Sequence, residues 1–528
     1  MATAFINGRI YTVDSSRPWA EAVLVEDGVF TAVGSNDAIR AAAPEGTEFV
    51  DVGGRMAMPG IHDAHIHLLA SGLKFRHEAR LTPMGTPEQI VQDLASCCTG
   101  PASAGETPWL IGGEYFPQGF GGAGPDRAFL DEAFPDRPVF LFDYSIHHGM
   151  ANTRALELAG LSAESEDPPG GRYPRRLGSR ELTGELVEQA RWPVMRAIPD
   201  YPEEVYRDAV AWAVATCHEF GITSVQEASA SPQALRALGA LDREGRLDLH
   251  VAAHLVWREE GFGMASTAEL DRAIAARASA ATEHVNTRYI KVWLDGAPLP
   301  PHMTQADLNP DGTVDETNIL VTADELATLL QRFDAEECQV KVHTAGEGAV
   351  RAALDAIEAV RAANGPDGPR HELAHTGFIH ADDYARFRQL GVVAEMSPAV
   401  WHIPEFGLQH GFKFATVLNS GATMTVGSDW IITPNPNLFP ALQGMLQWGE
   451  DSVDLETALR VMTLGGAEVV GRARRQGSIE VGKSADFIVL DRNLLEVPAH
   501  QVGETQVLRT VFEGRTVFEA ALDVAVRA

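Results

Sequence analysis

The chain has 528 residues, 45% hydrophobic and 22% charged, which is globular composition and too long for a single core, so a large domain with an accessory domain is expected. A formal charge of -31 excludes a general positive field for nucleic acid or anionic membrane, so neither is an expected partner. No stretch reaches transmembrane length, no basic segment precedes a long apolar run at the start, and Cys97, Cys98, Cys217 and Cys338 lack CxxC spacing; a reducing cytoplasm is the expected location.

From Ala4 to about Val52, apolar runs such as Ala22–Val25 and Phe30–Val33 are separated by turn signals at Asn7-Gly8, Asp27-Gly28 and Gly34–Asp37, the pattern of strands joined by hairpins. The same texture returns at Gly477–Gly482, Ala485–Leu490 and Val507–Phe518. One β-rich domain assembled from both termini, residues 1–58 and 473–528, is expected to clasp the rest.

Residues 59–472 alternate short apolar strands with Ala-rich helical segments, the pattern of parallel β/α units. The candidate strands are the run ending near His67, Gly221–Gln226, Leu247–Val256, Arg288–Trp293, Gln339–His343, His371–His375, Val392–Met396 and Thr423–Gly427. Eight such units predict an α/β fold of the TIM (β/α)8 barrel type, whose active site is built at the C-terminal strand ends. About 150 residues separate the first strand from the second, far beyond a normal connection. An inserted subdomain or lid over residues 75–215 is expected there, with the Gly-rich Gln118–Gly124 as flexible lid backbone.

The chain is organised around Met58–His67. After the break at Pro59-Gly60, His65 and His67 stand two apart, a spacing that puts both imidazoles on one side of a strand and so suits one metal ion. Lys291 lies on the fourth predicted strand, His343 ends the fifth, His375 ends the sixth and Asp429 follows the eighth. Each alone has an ordinary reading: core histidine, helix cap or ion-pair partner. Their joint placement at successive strand ends points instead to a metal site. Lysine has no lone pair as an ammonium, but the neutral amine adds to carbon dioxide to give a carbamate able to bridge two cations, and a low-dielectric site favours that amine. Two divalent ions about 3.5 to 4 Å apart would share a hydroxide nucleophile. Asp429 would take its proton and return it to the leaving group.

These residues resemble the amidohydrolase superfamily, and within it the amidohydrolase-3 or YtcJ-like branch that includes N-substituted formamide deformylases. The carrying stretches are Pro59–His67, Ile290–Gly296, Val342-His343, Glu372–His375 and Gly427–Asp429, with Gly477–Leu490 similar to the family's returning β-domain. The resemblance covers nearly the whole chain and implies a distorted TIM barrel with a composite β-sandwich. It implies that His65 and His67 hold the more buried metal, that His343 and His375 hold the more exposed one, that carboxylated Lys291 lies between them, and that Asp429 is the proton shuttle. Zinc is the first expectation, with manganese, iron or cobalt as alternatives.

Within the insertion, Ser145–Leu156 resembles a segment of the same branch, which makes His148 and Asn152 candidates for substrate contact; Asn152 reads equally as a helix N-cap. Relatives often carry His-x-x-Gly-Asp after the fifth strand. Here the stretch is His343-Thr-Ala-Gly-Glu347, so Glu347 is a candidate to orient His343. Trp293, Met396, Trp401, His402 and Trp430 follow strand ends and suggest an aromatic-lined substrate pocket, with core packing as the alternative. The expected activity is metal-dependent hydrolysis of a C–N amide bond in a small N-substituted formamide or N-acyl amine. The competing readings are a mononuclear deaminase or cyclic-amide hydrolase, and a catalytically silent scaffold. Homodimers are common for such enzymes, although no residue here gives evidence of one.

Overall fold

Period-two alternation between residues 59 and 472 resolves into eight parallel strands lying side by side in chain order: β1 (Ile61–Ile66), β2 (Ile222–Ala230), β3 (His250–Val256), β4 (Val285–Trp293), β5 (Gln339–His343), β6 (Glu372–Ala374), β7 (Val393–Met396) and β8 (Thr423–Val426). The structure is a computed structural model and describes residues 2–97, 100–101, 106–398 and 411–521. In β5, Val340 and Val342 join the apolar layer under the surrounding helices; in β4, Ile290 and Val292 do the same. The alternate side chains, Lys341 and His343 or Lys291 and Trp293, are thereby turned to the barrel's interior and mouth. That interior is unusually polar. Buried Lys341 lies 3.3 Å from the Glu372 carboxylate and donates to the Ala64 carbonyl, just below the end of β1.

The barrel nearly closes, and the seam lies at its mouth. Ile66 bridges Trp430, and the Asp429 N–H donates to the His65 carbonyl at 2.8 Å, so the segment after β8 completes the ladder to β1.

Two further sheets use both ends of the chain. One runs in the order Val29–Gly34, Ala22–Glu26, Thr3–Ile6, Glu48–Asp51. The other interleaves Arg515–Glu519, Val507–Phe512 and Phe487–Leu490 with Met56–Pro59, Arg9–Tyr11 and Trp19–Ala20. Phe5 and Phe30 of the first sheet meet Phe487 of the second, with ring centroids 4.8 and 6.1 Å apart, in a shared apolar layer. Gly477–Gly482, expected as a strand, is a loop. Gly477 takes a φ of 92°, and Ser484 forms an isolated bridge with Val29.

The long connection after β1 builds a six-stranded sheet of its own, in the order Gly171–Arg172, Glu185–Glu188, Gly149–Ala151, Val139–Asp143, Leu110–Tyr115, Ala79–Arg80. Its Gly-rich run lies in 3-10 turns over Pro117–Ala123, broken at Gly121, whose φ is 63°. The helix Glu203–Glu219, expected mostly inside the insertion, buries Tyr206, Val210, Val214 and Cys217 against the barrel core. Among the described residues no helix is long and apolar enough to cross a membrane.

Candidate active site

The end of β1 presents His65 and His67 to one side, as alternation in an extended chain requires. Their Nε2 atoms lie 3.8 and 3.4 Å from Asp429 Oδ1. Such an approach needs β8 to run close against β1: a Cβ on Gly427 would stand 2.4 Å from the His65 nitrogen, so glycine is required there. Asp429 and His375 hold left-handed backbone, with φ of 50° and 72°, a conformation unfavourable for residues with a Cβ and concentrated at functional sites. The His375 ring lies 4.5 Å from His65 and 4.6 Å from His343 by centroids, and its Nδ1 is 4.0 Å from Asp429 Oδ2. Lys291 Nζ is 3.5 Å from His65 Nε2. Tertiary structure thus gathers His65, His67, Lys291, His343, His375 and Asp429 at one mouth.

The chemistry of this donor set fits divalent metal ions. His65 Nδ1 is 2.7 Å from Glu395, and His343 Nδ1 is 2.9 Å from Asp295. His67 Nδ1 is 2.7 Å from Ser229 Oγ, whose hydroxyl is oriented by Glu227. With the ring proton held on Nδ1 in each case, the Nε2 lone pair is left for an ion. Burial keeps His65, His343 and His375 neutral by pushing their pKa values down, as ligation requires. Asp295, completely buried, also accepts from the backbone N–H groups of Ala306, Ala345 and Gly346. It therefore takes the orienting role expected of Glu347, which instead begins the helix Glu347–Asn364.

Lys291 is 1% exposed. Desolvation, followed by repulsion from Lys341, pushes its pKa down to about 7. The uncharged amine is then well populated at neutral pH.

A cavity of about 110 Å³ opens on these residues, walled by Trp293, Phe262, Leu299 and Phe412, with Ile146 and His147 coming from the insertion. Trp293 is therefore placed where a substrate pocket was expected. His148 is not among the walls. Its Nδ1 accepts from the Glu188 N–H at 3.2 Å and its ring packs against His302, whereas His147 faces the cavity with its ring 5.3 Å from His343. The His147 Nδ1 lies 3.1 Å from the Glu188 carboxylate. Burial alone would lower the pKa of His147, but Glu188 outweighs it and raises that pKa. Asn152 is the N-cap of Thr153–Leu158: its Oδ1 accepts from Ala155 and Val139, and its Nδ2 donates to the Phe134 and Arg137 carbonyls, leaving nothing for a ligand. Trp430 is also corrected to core packing, fully buried between Phe75 and Trp212. Trp401 and His402 lie outside the described residues.

A family model described as the amidohydrolase family matches residues 48–518. The chain belongs to that family. This amidohydrolase is 27% identical to the N-substituted formamide deformylase of Arthrobacter pascens, over 97% of its own length and 98% of that protein. It is 25% identical to the putative amidohydrolase YtcJ of Bacillus subtilis (strain 168), over 98% and 100% of the two chains. An uncharacterized metal-dependent hydrolase from Pyrococcus horikoshii OT3 shares the fold, with a TM-score of 0.72 and 21% identity over 95% of this amidohydrolase and 99% of that chain.

Sequence reasoning missed Asp295, Glu395, Ser229, His147 and Phe262. Two of these left a signal: Glu395 is a charge inside an apolar strand, and Asp295 is an acid two residues past the end of β4.

Proposed function

We propose that this amidohydrolase hydrolyses the C–N bond of an N-substituted formamide or related N-acyl amine, using divalent metal ions held by His65, His67, Lys291, His343, His375 and Asp429. The observation that carries the reading is the convergence of imidazoles with Nδ1 already engaged on one buried lysine and one carboxylate. Such a donor set takes zinc first, and also manganese, iron or cobalt. Bound ions would polarise the amide carbonyl and make water acidic enough to attack near neutral pH.

The chain's own residues supply the rest. The Lys291 amine adds to carbon dioxide, forming an N–C bond and releasing one proton, and the resulting carbamate is an anion suited to lie between two cations. His65 and His67 would hold one ion; His343 and His375 the other. Asp429 accepts the proton of the attacking water and delivers it to the leaving nitrogen as the C–N bond breaks, giving carboxylic acid and amine. Trp293 and Phe262 provide an apolar wall that excludes water.

The test is metal content and formamide turnover in protein expressed with divalent metal and bicarbonate. About two equivalents per chain are expected. Lys291→Ala should retain about one equivalent and lose turnover, with partial rescue by short carboxylic acids that replace the carbamate. Unchanged metal content and turnover in Lys291→Ala would refute the bridging role. A single-ion reading, as a deaminase or cyclic-amide hydrolase, draws on one observation: the ligand atoms of His65, His67 and Asp429 lie within 4.8 Å of one another, a set of three compact enough for one ion. About one equivalent in the wild type, with turnover of cyclic amides rather than formamides, would select it.

A further inference from the structure

Phe262 stands between two cavities. On one side its ring stacks on Trp293 at 4.8 Å and 5° and lies 6.1 Å from His67, as a wall of the cavity at the candidate metal site. On the other it lines a chamber of about 520 Å³ bounded by both the barrel and the insertion. Ile146 also lines both. The partition is built in rather than incidental. The helical turn Glu260–Gly263 that carries Phe262 is tied to the insertion through Glu259, which accepts from Arg191 at 3.0 Å, from the Trp192 indole at 2.9 Å and from the Phe262 N–H. The Arg191 guanidinium lies 4.4 Å above the Phe262 ring.

The chamber also has a sign. Five carboxylates line it against three cations. Each cation is already engaged: Lys74 with Glu114, Arg191 with Glu259, Arg196 with Glu260. Of the remaining acids, Glu269 closes the cap of the helix Thr267–Ala275, and Asp200 accepts from Tyr206 and Gln233. Glu78 accepts from the Tyr201 hydroxyl at 3.3 Å and has no ion-pair partner among the described residues. Burial raises the Glu78 pKa to about 7, so a cation arriving beside it would hold it ionised; that acid, in the wall of a chamber also lined by Leu73, Ile198 and Met264, matches a ligand with an apolar body and a cationic or donor end.

We propose that this chamber receives the amine-side substituent of the substrate, that Phe262 sets how far the substituent reaches, and that Glu78 selects an ammonium or neutral donor end over a carboxylate. The assignment to the amine side rests on the amide-hydrolase reading: in a formamide the acyl side is a hydrogen, so all bulk lies on nitrogen. The chamber and its sign do not depend on that reading.

Two measurements separate the claims. Calorimetric binding of phenylbutylammonium, phenylbutanol and phenylbutyrate to the metal-loaded protein needs no turnover. The ammonium should bind about tenfold tighter than the carboxylate. Glu78→Gln should erase that preference, and Ala70→Phe, which fills the chamber, should weaken all three about tenfold, with Ala70→Leu as the milder variant should the larger side chain prevent folding. Equal binding of the three ligands, unaffected by filling at residue 70, overturns the chamber. Then kcat/KM is measured for N-alkylformamides of rising length. Phe262→Ala should favour long over short chains by about tenfold relative to wild type. A uniform change across all lengths overturns the partition. Ligand binding as expected with no formamide turned over supports the chamber and removes the hydrolase reading instead.

Discussion

Replacing Asp295 with asparagine tests whether this carboxylate sets the protonation of His343. The carboxylate receives hydrogen bonds on two fronts. Oδ1 meets His343 Nδ1 and the Ala345 N–H, both at 2.9 Å; Oδ2 meets Gly346 at 2.9 Å, Ala306 at 3.1 Å and Ala345 at 3.1 Å. The side-chain amide of the Asp295→Asn protein would have one acceptor and one amino group. Turning the amino group toward the position of Oδ2 would oppose three buried backbone donors, at about 1–3 kcal/mol each. The amide oxygen is therefore expected to stay with the backbone and the amino group to face His343. The imidazole must then accept at Nδ1 and carry its proton on Nε2, the atom assigned to the metal. Loss of such an orienting partner weakens metal binding about 10–100-fold, or about 1.4–2.7 kcal/mol. Chelator competition on the purified protein, with circular dichroism to establish that it is folded, should show this loss for one ion together with a fall in kcat. Combined with His343→Asn the second substitution should add little, as expected of two residues acting on one ligand. Wild-type metal affinity and turnover in a folded Asp295→Asn protein would refute the reasoning.

Further predictions follow the same geometry. Asp429→Asn keeps an oxygen at the ligand position and leaves the four imidazoles and Lys291 in place, so most of the metal should be retained while kcat falls at least about 100-fold, because the proton shuttle is lost; metal analysis beside steady-state kinetics decides it, and unchanged turnover would exclude Asp429 from proton transfer. Gly427→Ala places a Cβ 2.4 Å from the His65 nitrogen and 2.5 Å from its Cβ, so β1 or β8 must shift; about 1–3 kcal/mol of destabilisation and reduced metal content are expected, and an unchanged Tm would show that the seam relaxes freely. His284 joins Asp242 at the end of a barrel helix to Glu513 in the C-terminal hairpin, at 2.6 and 3.2 Å. Burial opposes its charge, but hydrogen bonds to Glu513 and Asp242 prevail and raise its pKa from 6.5 to about 9. Because the folded pKa is the higher one, the stabilisation is full below about pH 6.5 and is lost as pH rises through about 9. After solvent screening it is worth about 1–2 kcal/mol. Tm should fall across that window, and His284→Gln should flatten the fall; equal slopes would remove His284 as its cause.

Local pattern alone determined the barrel. Gln339–His343 could be bounded because two outward valines alternate with inward polar residues in a short segment between helical stretches, and the same period placed His65 with His67 and Lys291 with Trp293. What alternation does not contain is the identity of partners distant in the chain. Glu395 meets His65 across 330 positions, and Asp295 rather than Glu347 meets His343, because the curvature of the barrel brings neighbouring strand ends together. The choice between His147 and His148 depended on one turn, in which Ile146 takes a φ of 60°. Asn152 and Trp430 had two chemically sound readings each, and only the backbone donors around Asn152 and the rings around Trp430 chose between them. Burial works the same way on charge: the sequence names Lys291 as a lysine, but the low dielectric around it and the proximity of Lys341 push its pKa down and favour the uncharged amine.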